Sequence, residues 1–577
     1  MGRTRDLFLL LALLLATTTA AQLAVHGRVI DATTGEPLPY CAVQSLRTGA
    51  STLTNTEGQF QLPAADTNDT LSVAFLGYTA QRLAVADDID GPVIRLYPSG
   101  IELRPLEITR NDRLYRMMAA SGKHLRTRSP HEAKSYFELE SRSAGQPVEM
   151  MEIFFNARTD GARIEALDLK NGRIGIAPVH GHYFISRNTT KAMTLLDLAR
   201  ANTHFPNSPF QGDARTIRSN FDLTLEGVVP GDRPAYRIRF MPRVADGRSF
   251  SGTAWLDTAT LRTRRVVLDC PDCVQQPFIP LWDGPVLDSV QVHLTLDLTD
   301  RNGAADLSMM TLDYTLRYRS ERRSDVIRTT AVLHTFGPGE RFILPLFDYD
   351  VTQDDYRKVT FLPYDSVFWA GAPAIMRTDQ QERAIAFFAT HGKLLGHGRD
   401  LPFHGRFFES NYGYWSVDHR IGIKYSFPQQ TYDGQGVVAK YGTAPDASKV
   451  NLAAQLFLAM DPSGDSLRFH SATVFDGFQS YWLIPEEQET DCYLNLFFDL
   501  CEIERRRMVE RLKGVTDIET VRRIHEEATK SMERTTERYR RETALGRDRK
   551  SLARWNTLVK DALHIDNMVL FGVQVTP

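Results

Sequence analysis

The amino-acid sequence predicts a mainly β, multidomain protein with a helical C-terminal region. Alternation with period two recurs from Leu23 to His334, and helical periodicity takes over from Leu494 to Leu563. We therefore expect an N-terminal seven-stranded β-sandwich, then a body built on a curved antiparallel sheet, then long α-helices. The predicted ranges are 1–21 for a signal peptide, 22–98 for the sandwich, 99–363 for the β-rich body and 364–577 for a mixed β and helical domain.

The first residues have the three parts of an export signal. Arg3 and Arg5 form a basic start, Leu7 to Ala16 an unbroken apolar run, and Thr19-Ala20-Ala21 a small-residue cleavage site. The alternative, a membrane anchor, would need about 20 apolar residues, roughly twice the length of this run. No later run reaches that length. We therefore expect an exported chain in the periplasm or at the periphery of the outer membrane, with no transmembrane segment after cleavage.

Length and charge narrow the class of partner. At 577 residues, with 42% hydrophobic residues, the chain is long enough to bury several cores. Its formal net charge is only -3, and this argues against a nucleic-acid partner, which usually leaves a basic excess. The remaining partner classes are a protein, a glycan or a lipid of the cell envelope.

The N-terminal module consists of short predicted strands separated by turns. Leu23 to Ile30 alternates, Thr33 to Pro37 supplies a turn, and Tyr40 to Leu46 alternates again. Gly58 is placed to adopt a positive φ before the strand that begins at Gln59. Further strands are expected at 71–75, 82–85 and 93–97. Strands of this length and spacing favour a β-sandwich.

These residues resemble the carboxypeptidase regulatory-like domain, a transthyretin-like sandwich, in the form common at the N-terminus of Bacteroidota envelope proteins. Its pattern is a glycine, a hydrophobic residue and an aspartate, then Gly-x-Pro-Leu, Thr-(Asn/Asp)-x-x-Gly-x-Phe and Gly-Tyr. The matching residues are Gly27, Val29, Asp31, Gly35, Pro37, Leu38, Thr54, Asn55, Gly58, Phe60, Gly77 and Tyr78. The resemblance covers a small part of the chain. It implies a non-catalytic accessory module, despite the family name.

The body is predicted to contain an antiparallel meander. Its most regular strands are 235–240, 252–257, 261–268, 290–298, 309–318 and 326–334, preceded by strands at 134–141, 149–157, 172–176 and 221–225. A short amphipathic helix is expected from Met193 to Ala201. The apolar face of such a sheet needs a partner, so we expect the sheet to wrap over a helix. Residues 252–268 resemble the half-barrels of periplasmic lipoprotein carriers; the alternative is an unrelated twisted sheet.

The C-terminal region is predicted to mix short strands with long helices. Helices are expected at 379–390, 494–512, 517–543 and 550–563, and strands at 450–458, 466–474 and 478–484. In the helix 517–543, Val521, Ile524 and Ala528 belong to a narrow apolar stripe and charged residues fill the other faces. Such a face is usually solvated, and the alternative is a surface that binds a partner or acidic headgroups.

Five cysteines are spread along the chain, at positions 41, 270, 273, 492 and 501. In an exported protein the nearest pairs, Cys270 with Cys273 and Cys492 with Cys501, are candidate disulfides. The sequence Cys270-Pro271-Asp272-Cys273 also permits a redox or metal site. It follows a strand and runs into a segment without helical periodicity, however, so a structural disulfide or a plain loop is favoured.

Histidine-based metal sites are the remaining candidates for chemistry. His180-Gly181-His182 places two imidazoles on one side of a strand, and with His204 they form a candidate metal site; a structural or exposed pair is the alternative. His391, His397 and His404 are candidate loop ligands, although no carboxylate stands at a diagnostic spacing.

Motifs that would define an enzyme are incomplete. His525-Glu526 begins like a zinc-peptidase helix, but Thr529 occupies the i+4 position where the second histidine must stand. His131-Glu132 fails for the same reason. The sequence contains no complete phosphate-binding or dinucleotide-binding loop and no hydrolase elbow, and we expect no cofactor.

The sequence therefore favours a non-catalytic envelope protein with a binding or assembly role, acting through a sandwich adaptor and a β-rich body. One alternative is a hydrolase of envelope polymers that draws acids or metal ligands from the body, such as His180, His182 and neighbouring Asp or Glu residues. A second alternative is a periplasmic carrier of lipid or lipoprotein.

Overall fold

The computed structural model describes most of the chain. The described residues are 24–63, 69–85, 91–100, 112–184, 189–278, 286–319, 324–397, 412–422, 450–482 and 489–574, except 232, 302, 352, 363, 373, 419 and 465. The predicted signal peptide and His404 lie outside these residues.

The N-terminal module is the predicted sandwich. Its strands are β1 (Ala24–Asp31), β2 (Ala42–Ser45), β3 (Ser51–Leu53), β4 (Gln59–Pro63), β5 (Thr70–Ala74), β6 (Gln81–Ala84) and β7 (Val93–Leu96). They form two sheets, with strand orders β4-β1-β7 and β3-β2-β5-β6. Val29, Val43, Phe60 and Leu71 are fully buried in a shared core. The prediction of a seven-stranded β-sandwich is confirmed.

The residues that match the family pattern hold the turns of this module together. Asp31 accepts hydrogen bonds from the hydroxyl of Tyr78 at 2.7 Å and from the backbone N–H of Thr33 at 2.6 Å, and these bonds, that of Tyr78 foremost, lower the pKa of Asp31. Gly58 has a φ of 74°, and a Cβ there would lie 2.4 Å from the carbonyl oxygen of Val29. Only glycine fits this position.

An eleven-stranded sheet forms the body, in the order β13-β14-β15-β16-β17-β18-β19-β8-β9-β10-β20. Its strands are β8 (Pro130–Ser143), β9 (Gln146–Asp160), β10 (Arg163–Ile176), β13 (Phe221–Val229), β14 (Ala235–Pro242), β15 (Ser251–Asp257), β16 (Thr263–Cys270), β17 (Val286–Arg301), β18 (Ala304–Arg319), β19 (Ser324–Pro338) and β20 (Lys393–Leu395). A hairpin of β11 (Pro178–Val179) and β12 (His182–Tyr183) follows β10. The predicted meander is confirmed from β13 to β19.

The strand β10 is longer than its sequence pattern predicts, because its alternation is broken. The pattern predicts a strand at 172–176, whereas β10 extends from Arg163 to Ile176. Its pairing with β9 shifts register between Ile164 and Ala166 and again between Leu169 and Asn171. Each bulge turns the following side chains to the other face, so period two disappears from the sequence.

One face of the sheet is covered by helices. These are α1 (Asp112–Leu125), α2 (Thr189–Leu195) and α3 (Ala214–Asn220). Met118 of α1 and Met193 of α2 are buried in one core with strand residues such as Phe240 and Leu296. The expectation that the apolar face packs on a helix is confirmed.

The helix predicted at Met193 to Ala201 is placed wrongly. The chain is helical earlier, from Thr189 to Leu195. Beyond that point the carboxylate of Asp197 accepts hydrogen bonds from the backbone N–H groups of Ala199 and Arg200, both at 3.0 Å. This side-chain turn competes with helix continuation.

The opposite face of the sheet is covered by the sandwich and by the segment after β19. This segment contains α4 (Asp355–Phe361), α5 (Ser366–Gly371) and α6 (Asp379–His391) before the edge strand β20. Leu53 of the sandwich and Trp369 of α5 share a buried cluster with Tyr136 and Phe154 of the sheet. Because β20 joins the large sheet at 393–395, the predicted boundary between 363 and 364 does not coincide with the edge of the sheet.

The C-terminal region adds small sheets and a helical hairpin. Its elements are β21 (Tyr412–Tyr414), β22 (Val450–Asn451), β23 (Ala454–Ser463), β24 (Ser466–Asp476), β25 (Tyr481–Trp482), α7 (Thr490–Leu512), α8 (Ile518–Thr543), α9 (Arg549–Leu563) and α10 (Asn567–Leu570). The three long helices lie where the sequence predicts them. No helix within the described ranges is both long and apolar enough to span a bilayer.

Candidate functional site

A large groove lies between the C-terminal small sheet and the helical hairpin. It is formed by α8 on one side and by residues 346–348 and 451–456 on the other, with Phe497 and Cys501 of α7 at its floor. Its volume is about 690 Å³, within the range of natural ligand sites. We call this cavity the α8 groove.

Helical spacing explains why α8 presents one face to the groove. Its lining residues on α8 are His525, Thr529, Met532, Glu533, Thr536, Glu537 and Arg540, which recur at intervals of three or four. The neighbouring stripe of Val521, Ile524 and Ala528 is buried against α7. Burial of that stripe fixes the rotation of α8 and turns the polar ladder toward the cavity.

Two basic side chains of the groove, His525 and Arg540, already form hydrogen bonds within the chain. Nε2 of His525 donates to the carbonyl oxygen of Leu456 at 2.7 Å. Arg540 donates to the carbonyl oxygen of Val450 at 3.1 Å and to Oδ1 of Asn451 at 3.4 Å. These bonds join α8 to the opposite wall and keep the groove walls in place.

The rim of the groove is acidic. Asp348, Glu533 and Glu537 are exposed, and no cation of the described residues forms an ion pair with any of the three. Deeper in the groove, the hydroxyl oxygen of Thr529 is buried and lacks a hydrogen-bond partner among the described residues. The site therefore offers free carboxylates and one unsatisfied hydroxyl to a ligand.

The sequence does not predict this groove. The pattern of α8 predicts the apolar stripe but places the polar ladder from His525 to Arg540 on a solvated face. A polar ladder beside an apolar stripe is the pattern of any amphipathic surface helix. That pattern does not indicate which strand stands opposite.

The histidines predicted as a metal site are only partly described. His180 lies in a turn with its side chain 56% exposed, and its Nε2 is 3.2 Å from Oδ1 of Asp325. His204 is exposed in a loop, and the side chain of His182 lies outside the described part of the chain. Among the described side chains, no group of three or more His, Cys, Asp or Glu is placed to hold a metal ion. The site stays a prediction.

The second group of candidate histidine ligands does not form a cluster among its described members, His391 and His397. His391 stacks on Phe387 at the end of α6, with ring centroids 4.6 Å apart. His397 is held near Glu152, Arg173 and Arg377, where burial lowers its pKa to about 3. A neutral imidazole with these neighbours is a structural element of a buried polar cluster.

That polar cluster lies on the sandwich-facing side of β8 to β10. The carboxylate of Glu152 is paired with Arg173 at 2.7 Å and with Arg377 at 2.6 Å. Burial alone would raise the pKa of Glu152, but the two guanidiniums hold that pKa well below its usual range. The Arg173 guanidinium also lies 3.9 Å from the ring centre of Trp369. The cluster ties α5 and α6 to the sheet.

A second carboxyl of the same face behaves in the opposite way. Burial, together with the charges of Glu152 and Glu140, raises the pKa of Glu138 to about 8. The hydroxyl of Tyr136 lies 3.4 Å from Oε2 of Glu138 and 3.2 Å from Oε1 of Glu152. At neutral pH we therefore expect Glu138 to be protonated and Glu152 to be ionised.

The cysteine candidates separate into two cases. Cys270 and Cys273 form a disulfide with Cα atoms 5.6 Å apart, in the turn after β16. Cys492 and Cys501 are free, buried thiols on α7. Nine residues along one helix correspond to about 13 Å, which is too far for a disulfide, so the candidate pairing of Cys492 with Cys501 does not fit this fold.

Comparison with known families identifies one part of the chain. The model of the carboxypeptidase regulatory-like domain matches residues 25–103. Residues 25–103 are a carboxypeptidase regulatory-like domain. This regulatory-like domain contains the sandwich and all twelve residues of the sequence pattern, as predicted. No curated protein matches the chain.

Part of this chain is similar to three solved structures, each at low sequence identity. The complex of MucA and MucB from Pseudomonas aeruginosa is 13% identical, with a TM-score of 0.15, covering 38% of this chain and 93% of that one. A LolA superfamily protein from Nitrosomonas europaea is 9% identical, with a TM-score of 0.16 and coverages of 39% and 93%. A putative outer membrane lipoprotein-sorting protein domain from Vibrio parahaemolyticus is 10% identical, with a TM-score of 0.18 and coverages of 43% and 96%.

Proposed function

We propose that this protein is an exported, non-catalytic binding protein of the bacterial cell envelope, and that the α8 groove is its binding site. The observation that carries the proposal is the groove itself. It has the volume of a ligand site, walls joined by hydrogen bonds, and polar groups that the described chain leaves free.

The regulatory-like domain acts in this proposal as a fixed adaptor. Leu53 is buried against the large sheet, and the Arg265 guanidinium of β16 lies 4.9 Å from the ring centre of Phe75. Pattern residues such as Asp31 and Gly58 are engaged in turns within the domain, so they are not available for chemistry. The domain thus covers one face of the body and presents its own outer surface to other envelope components.

The helix-covered face of the large sheet is less suited to a ligand. Side chains of α1, α2 and α3 fill it and share one continuous core with the strands. A carrier of lipid would need that core to open. The α8 groove requires no such opening, and we therefore favour it over the carrier alternative.

Export can be tested directly. The sequence from Arg3 to Ala21 predicts that the mature protein begins at Gln22. We expect N-terminal sequencing of the protein from the envelope fraction of a producing bacterium to begin at Gln22. A full-length protein found in the cytosol would contradict the proposed location.

Binding in the groove is tested by photo-crosslinking in intact cells. A benzoylphenylalanine is placed at position 537 on the groove rim, and at position 519, an exposed site on α8 outside the groove, as the matched control. We expect adducts of defined mass at 537 and none at 519. Equal labelling at both positions, or none at 537, would reject the groove as the binding site.

A further inference from the structure

We propose that the α8 groove binds an extended polypeptide segment with basic side chains, which adds as a strand to the free edge of β23. This inference rests on the proposed function and names the class of its partner. It depends on the backbone of β23, on the apolar floor and on the charge of the rim.

The backbone of β23 has a short open edge inside the groove, at Ala454 and the N–H of Leu456. On one side β23 pairs with β24 along its length. On the other side Leu458 exchanges two hydrogen bonds with Leu346, at 2.8 and 3.2 Å. In an antiparallel sheet, alternate residues direct their N–H and C=O groups to the same side. Leu456 and Ala454 therefore direct theirs toward the groove.

The segment that contains Leu346 does not continue this pairing. The N–H of Asp348 bonds to the side chain of Gln455 at 3.1 Å instead of to the backbone of Leu456. The Leu456 carbonyl is taken by His525, but within the described residues the Leu456 N–H and both backbone groups of Ala454 have no partner from the opposite side. An unpaired strand edge of this kind is a template for another strand.

The groove has the dimensions and surface for a short strand. From His525 to Arg540 the wall of α8 rises about 22 Å, the length of six or seven residues of extended chain, of which those opposite Ala454 and Leu456 would pair with β23. Leu452, Leu456 and Met532 border it, each at most 4% exposed, and form a narrow apolar base. In a strand, alternate side chains point to opposite sides, so one set would meet this apolar surface and the other set the rim.

The charge of the rim selects the occupant. Asp348, Glu533 and Glu537 are exposed carboxylates that form no close ion pair within the described chain, although Lys530, which is paired with Glu526, is near enough to Glu533 to feel its charge; Arg540 is engaged by Val450 and Asn451. Lysine or arginine side chains of the added strand would pair with these carboxylates. An acidic strand would be repelled.

The test uses the full mature chain and a fluorescent peptide of alternating lysine and valine, six residues long. Binding is measured by fluorescence anisotropy at low salt. Two further peptides separate the contributions: one replaces every lysine by glutamate, and the other carries N-methyl groups on alternate residues to block strand pairing. Spermidine serves as a competitor with charge and no backbone.

We expect the basic peptide to bind and the acidic peptide to show no binding. Methylation should weaken binding about tenfold, because it removes main-chain hydrogen bonds. The double variant E533Q/E537Q should weaken binding about fivefold, since two surface charge pairs are lost. The matched control E519Q, on an exposed glutamate of α8 outside the groove, should leave the affinity unchanged, and circular dichroism of all variants should be superimposable.

Three results would overturn the inference: no binding of the basic peptide, equal affinity of the methylated peptide, or full displacement by spermidine at a concentration equal to that of the peptide. If the peptides fail while position 537 still gives specific adducts in cells, the binding role stands and the strand-like, basic partner is wrong. If both fail, the proposed function falls as well.

Discussion

At the scale of single residues, two glutamates of neighbouring strands differ in protonation because their surroundings differ. Glu152 lies between Arg173 and Arg377, whereas Glu138 has burial and two negative neighbours. Positive neighbours favour ionisation of a carboxyl, whereas burial and negative neighbours oppose it, so the two pKa values move in opposite directions. The two groups therefore make opposite contributions to the pH dependence of stability.

Glu138 should make the fold less stable as pH rises. Its carboxyl ionises near 4.5 in the unfolded chain and near 8 in the folded one, so the folded state holds more protons between these values. The free energy of unfolding should fall through this window by at most about 1.4 kcal/mol per pH unit. We expect E138Q to remove that slope, measured by urea unfolding at pH 5 to 8. A slope that persists in E138Q as it does in the exposed control E526Q would contradict this assignment.

Glu152 should be required for the attachment of α5 and α6 to the sheet. Replacing it by glutamine removes the buried carboxylate that pairs with both guanidiniums and leaves Arg377 only the exposed Glu382; loss of a buried partner typically costs about 3 to 5 kcal/mol. The control is E382Q, because the exposed Glu382 lies 3.3 Å from the same Arg377. We expect that control to change the free energy of unfolding by less than about 1 kcal/mol. Urea unfolding at pH 7 distinguishes the two; similar values for both variants would show that the buried pair is not the anchor.

At the scale of elements, the starts of helices are encoded locally. Thr378 accepts from the backbone N–H of Gln381 at 3.1 Å, and the side chain of Gln381 accepts from the Thr378 N–H at 2.9 Å. This reciprocal pair is a capping box, and it begins α6 where the sequence predicts a helix. Elements whose signals lie within a few residues are therefore predicted well, as the long helices of the tail also illustrate.

The capping box of α6 can be tested by one substitution. We expect T378A to lower the free energy of unfolding by about 1 kcal/mol, because an N–H of the first turn loses its acceptor. Thr390, on the same helix, is exposed and bonds to the carbonyl oxygen of Ala386, so T390A provides the control and should change stability by less than about 0.5 kcal/mol. Hydrogen exchange of the first turn of α6 should accelerate in T378A alone.

At the scale of the whole molecule, the sandwich and the body form a joint core. Tyr40 packs against the cluster that contains Leu53, Tyr136 and Met309, and burial raises the pKa of Tyr40 well above its usual range. The docking thus buries the sandwich side of the sheet, including the neighbourhood of Glu138 and Asp313. Removing the contact should expose these strands without unfolding the sandwich core.

Docking is tested by placing a charge in the interface. We expect L53D to increase hydrogen exchange in β8 and β18, because an ionised carboxylate is disfavoured against the apolar cluster. The matched control is L46D, at a leucine of the same domain that is 48% exposed. Exchange in β8 and β18 that stays equal in the two variants would show that Leu53 does not hold the domain to the sheet.

Local sequence signals are sufficient to predict the sandwich, the meander from β13 to β19 and the three long helices of the tail. These elements depend on alternation, helical periodicity, turns and caps, all of which are set by residues close together in the chain. Tertiary packing decides the pairing of β19 with β8, the separation of Cys492 from Cys501, the neighbours of Glu138 and Glu152, and the α8 groove. Each of these depends on which faces are buried together, and most of them join residues far apart in the chain. Local periodicity predicts whether a face is apolar or polar, but it does not predict which surface of the protein will pack against that face.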